Sequence, residues 1–91
     1  MFLDSIQAPE PPTGLSPYLQ ALWWEKKGYW DKAHELVQDL PDQLASAIHA
    51  YLHRREGDLW NARYWYSRAS TPEFTGTAQA EWHQLVIRAL K

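Results

Sequence analysis

The sequence predicts an all-α domain of five helices, and three observations carry the prediction. Apolar residues recur three and four apart along most of the chain, the spacing that gathers them on one face of a helix. Gly28 and Gly57 interrupt that pattern, and glycine is the residue that ends a helix in the left-handed conformation without a Cβ clash. The two interruptions belong to a repeat: Gly28 and Gly57, and likewise Ala33 and Ala62, are 29 residues apart. A period of that size, made of two helices and a turn, marks a stacked helical array.

Residues 1–14 carry Pro9, Pro11, Pro12 and Gly14 and predict an extended arm. Phe2, Leu3 and Ile6 are its candidates for contact with the body. The helical domain spans residues 15–91. Ser16-Pro17 starts the first helix, with Ser at the cap and Pro at the first helical position. That helix runs to about Lys27 and presents Leu19, Leu22, Trp23 and Lys26 on one stripe. The second, from about Trp30 to Asp39, presents Trp30, Ala33, Val37 and Leu40. Pro41 forces a new start, and Asp42 suits the positive end of the third helix. Leu44, Ile48, Tyr51 and Leu52 line that helix to about Glu56. Asp58 caps the fourth helix, which places Leu59, Ala62, Tyr66 and Ala69 together. Ser70 to Thr77 reads as a loop, with Phe74 a candidate plug. Thr77 then caps a last helix from Ala78 to about Leu90, striped by Trp82, Leu85, Val86 and Ala89. Such a helix covers the open end of a stack.

The segments Gly28-Tyr29-Trp30-Asp31-Lys32-Ala33 and Gly57-Asp58-Leu59-Trp60-Asn61-Ala62, each after an aromatic-bearing helix, resemble the core of tetratricopeptide repeats. The resemblance covers roughly residues 17–69, with a period shorter than the usual ~34 residues. It implies two helix-turn-helix units plus a C-terminal capping helix, and a protein- or peptide-binding module. It also implies that the first helix of each pair lines a groove, which would put Trp24, His49, His53 and Arg54 there. The run from His49 to Arg54 with Gly57-Asp58, Asn61-Ala62 and Tyr64-Trp65-Tyr66 is similar to a group of small uncharacterised bacterial proteins. That likeness implies no activity.

Ninety-one residues make one domain, which buries about 60–65% of its unfolded surface. Six Trp and five Tyr compensate for the small size. They exceed what a minimal core needs, so some are expected on a surface that meets a partner. The absence of Cys excludes disulfides, thiolate metal sites and a Cys nucleophile, and fits a reducing, cytoplasmic setting. The N-terminus has Asp4 and no apolar core, so no signal peptide is expected. Ala21-Leu22-Trp23-Trp24 is too short to span a membrane. A formal charge of −2 disfavours nucleic acid. Arg54, Arg55, Arg63 and Arg68, interleaved with Trp60, Tyr64 and Trp65, suit cation–π contacts and ion pairs inside the domain, such as Arg54–Asp58 and Arg55–Glu25, as well as they suit a nucleic-acid strand.

The histidines form the sharpest chemical constellation. His49 and His53 are four apart and share a face of the third helix, turned away from its apolar stripe. With His34 they make the alternative reading, a small His-based metal-binding protein or enzyme. The zincin pair has this spacing, but Ala50 stands where that motif needs Glu. Asp31, His34, Glu56 and Asp58 hold His–carboxylate pairs, yet both Asp residues also suit helix starts. No nucleophile with a neighbouring base and no Gly-rich phosphate loop is present, so neither enzyme activity nor a cofactor is the leading expectation. On the fourth helix Trp60 and Tyr64 share a second apolar face. The last helix is expected to cover it; uncovered, it marks an interface, a homodimer among the options.

Overall fold

The computed structural model describes residues 2–91. Among them are five α-helices and no strand: α1 (Pro17–Lys26), α2 (Trp30–Val37), α3 (Gln43–Arg55), α4 (Leu59–Arg68) and α5 (Ala78–Leu90). α1 pairs with α2 and α3 with α4, and α5 lies across α1 and α3. No helix among the described residues is long and apolar enough to cross a membrane.

Local signals fix the helix starts. The side chains of Ser16, Asp42, Asp58 and Thr77 accept from the backbone N–H groups of Leu19, Ala45, Asn61 and Ala80. α2 departs from this rule. Its N-cap is Tyr29, without a side-chain cap, and Asp31 lies in the first turn, where its charge suits the helix dipole. Gly28 and Gly57 sit at φ +94° and +87°, and the N–H of the next residue reaches back to Trp24 O and His53 O. Ser70 takes the same left-handed turn at φ 55°, with Thr71 N–H on Tyr66 O.

α3 is the hub. Every residue from Ala45 to His53 is buried, on all faces of the helix. A helix walled in all round belongs to the middle of a core. Ile48, Tyr51 and Leu52 pack with Leu22 of α1, Val37 of α2 and Trp82 of α5, while Ala50 meets Ala62 and Tyr66 of α4. Trp82 is 1% exposed, and its indole N–H donates to Leu22 O at 2.9 Å, which ties α5 to α1. Two buried carboxylates brace the hub. Glu25 accepts from the Tyr51 hydroxyl at 2.8 Å and Arg55 at 3.1 Å. Glu81 accepts from Arg54 at 2.7 Å and the Tyr66 hydroxyl at 2.5 Å. Burial and the adjoining carboxylate raise the pKa of each phenol well above the ordinary value, so both stay donors.

Several expectations change here. The N-terminal arm is not simply extended: Asp4–Gln7 form a turn of 3₁₀ helix. Lys27 donates to Ile6 O and Ala8 O, Trp23 Nε1 to Ser5 Oγ, and Phe2 stacks on Trp82, whereas Leu3 is exposed. The arm's carbonyls need external donors because its prolines cannot build a regular ladder. Leu59, expected in the core, is exposed, because the α3–α4 contact is carried by Ala62 and Tyr66. Arg54 pairs with Glu81 rather than Asp58, whose carboxylate is engaged by Asn61. The Arg55–Glu25 pair forms as expected.

Candidate functional site

The site lies where α2 and α4 close over the polar face of α3. His49 and His53, one turn apart, project there, and His34 meets them from α2. His34 Nε2 and His49 Nε2 are 2.9 Å apart, and a ring nitrogen from each of the three residues lies within 4.8 Å of the others. His49 and His53 are 4% and 8% exposed, while His34 is half-buried. The open side of the cluster is therefore the His34 side.

Two tryptophans hold the rings. Trp30 stacks on His34 at 4.8 Å between centroids, and its indole N–H is fixed on Leu52 O at 2.7 Å. Trp65 stacks on His49 at 3.8 Å. His53 Nδ1 is 2.8 Å from Glu56, so its N–H points at the carboxylate and the lone pair is placed on Nε2. That carboxylate–imidazole pair is the outer shell by which proteins orient a metal-binding histidine.

The electrostatics favour the neutral form of His34 and His49. Burial first, and then the neighbouring His34 and His53, push the His49 pKa down to about 3. His34 is also held below the ordinary histidine range, by burial and then by His53. A neutral imidazole offers a lone pair, which is the form a metal binds. The cluster does not satisfy itself internally. One proton serves the 2.9 Å contact between His34 and His49, and buried His49 Nδ1 has no hydrogen-bond partner.

These residues fit a divalent transition metal. Nitrogen ligands 2.0–2.1 Å from a tetrahedral zinc are about 3.3 Å from one another. The observed separations, from 2.9 Å to at most 4.8 Å, bracket that value. His53, Glu56 and Asp58 also lie within ligand reach of one another. Both carboxylates are engaged, however, Glu56 by His53 and Asp58 by Asn61, so this second grouping offers no free carboxylate.

The other sequence candidates do not join the cluster. Asp31 is exposed on α2. Trp24 packs edge-on to Trp23 and Tyr29 under Lys32, beside a shallow depression of about 300 Å³ between α1 and α2. Arg54 reaches Glu81 and Gly76 O. Trp60 and Tyr64 are 80% and 53% exposed, because α5 turns to α1 and α3 rather than over α4. Trp24, His49, His53 and Arg54 thus face different neighbours, and the side of α1 and α3 that meets α5 packs against Trp82 and Leu85. Sequence reasoning missed the flanking tryptophans. Trp30 was legible in its four-residue spacing from His34, whereas Trp65 needed the packing of α4.

Comparison of the chain with protein-family models, with curated proteins and with solved structures gave no match.

Proposed function

We propose that this protein binds a divalent transition metal of the zinc class through His34, His49 and His53. The observation that supports the reading is the convergence of three largely buried imidazoles from two helices, with an orienting carboxylate on one of them. A soft-to-borderline cation suits an all-imidazole set; magnesium and calcium, which take oxygen ligands, do not.

A thermal-shift series with zinc, cobalt, nickel, copper and magnesium tests it. A ligand that binds only the folded state adds RT ln(1 + [L]/Kd), about 2.7 kcal/mol at a hundredfold excess over Kd. Upshifts are expected with the first four metals and not with magnesium, and are lost in the His49→Ala, His53→Ala double variant. No shift with any metal, or an undiminished shift in the variant, would overturn the reading.

A second reading, protein binding, is favoured by the uncovered face of α4. Leu59, Trp60 and Tyr64 are all more than half exposed on one short helix. Neighbouring exposed aromatics mark interfaces, and self-association is the simplest case. The tetratricopeptide resemblance points to the same class. Sedimentation equilibrium on the wild type and Trp60→Glu tests it: dimers that dissociate in the variant support it, and monomers at all concentrations count against it.

A further inference from the structure

We infer that the three-histidine site holds its metal with one exchangeable position, open beside His34, that takes a water or a small inorganic anion. The inference rests on the metal reading above and goes on to say what the bound metal would do with its fourth position.

The first observation is the ligand inventory. Among the described residues the group contains three ligands and no fourth. The chain has no Cys, Glu56 is engaged by His53, and Asp58 by Asn61. Zinc and cobalt in an imidazole site take at least four ligands, and closed structural sites supply all four from side chains. A three-ligand set is the arrangement in which solvent completes the shell.

The second observation is access. His49 and His53 are walled in by α2 and α4, with Trp65 flat against His49 at 3.8 Å. His34 is half-buried, and α2 carries it at the edge of the hub. His34 is the most exposed of the three ligands, and the fourth position falls on that side. Trp30, stacked on His34 and anchored to Leu52 O, holds that ring in place on the open side.

The third is charge. Three neutral imidazoles leave a divalent ion with its full charge, since no carboxylate ligand offsets it. Glu56, exposed and one hydrogen bond removed through His53, and Asp31 and Asp39, whose charges reach His34, offset it only from outside the ligand set. A site of this kind favours an anion or hydroxide at its open position. Azide, a small anion that ligates transition metals, is a suitable probe of that position.

Cobalt substitution reads this directly, because the visible bands of Co²⁺ report coordination number and ligand exchange. The full chain, loaded with one equivalent of Co²⁺, is titrated with sodium azide at constant ionic strength. A saturable change in the visible spectrum, reversed by removing azide, is the expected result. A cobalt spectrum unmoved by saturating azide overturns the inference and leaves the metal site standing as a closed one. Failure of Co²⁺ to develop any ligand-field band with the protein overturns the site and the inference together.

Discussion

Replacing His49 with Gln should remove much of the domain's sensitivity to mild acid. The His49 pKa is about 3 in the folded protein, against 6.5 for an unperturbed histidine. Between those values the unfolded chain binds a proton that the folded chain refuses. Stability is therefore fully present above about pH 6.5 and is lost progressively as pH falls toward 3. At pH 5 the loss from this one residue is about 2 kcal/mol. In a domain of this size that is a fall in Tm of about 8–16 °C. The assay is thermal unfolding of chelator-treated protein at pH 7.5 and pH 5.0, because a bound metal would hold the imidazoles deprotonated. Gln cannot titrate, so His49→Gln should show a pH difference smaller by about 2 kcal/mol, whatever its absolute stability. Equal pH differences in the two proteins would refute the claim that burial holds His49 neutral.

Three further outcomes test the packing. Glu81→Ala leaves the Arg54 guanidinium and the Tyr66 hydroxyl without their acceptor, and should cost about 3–5 kcal/mol in urea unfolding. Trp82→Ala opens the junction of α5 with α1 and α3 and should cost about 3–5 kcal/mol by the same measurement. Gly57→Ala should cost about 1–2 kcal/mol through the backbone alone, since φ is +87° and an added Cβ there meets no atom within 4 Å.

The helices were legible because their signals are local. Ser16-Pro17, Pro41-Asp42, Gly57-Asp58 and Thr77 each act within a turn, and each sits within a residue or two of an observed boundary. What lay beyond the sequence was which faces meet. His49 and His53 read as the polar side of an amphipathic helix, and they are buried because α3 is enclosed by four other helices. Trp60 and Tyr64 read as a side for α5 to cover, and they stand free because Trp82 Nε1 commits α5 to Leu22 O, 60 residues away in sequence. Periodicity reports how apolar a face is and says nothing of its partner. The identity of the histidine set was readable from the i, i+4 spacing. Its convergence on one point depended on the α2–α3 crossing, fixed in part by the Trp30 bond to Leu52 O.

Zinc K-edge X-ray absorption on the full chain loaded with one equivalent of zinc tests the central claim most directly. The account predicts three imidazole nitrogens at about 2.0–2.1 Å with the multiple-scattering signature of the rings, plus one further oxygen or nitrogen ligand without it. A shell of oxygens without imidazole scattering, or failure to retain zinc through gel filtration, would contradict it.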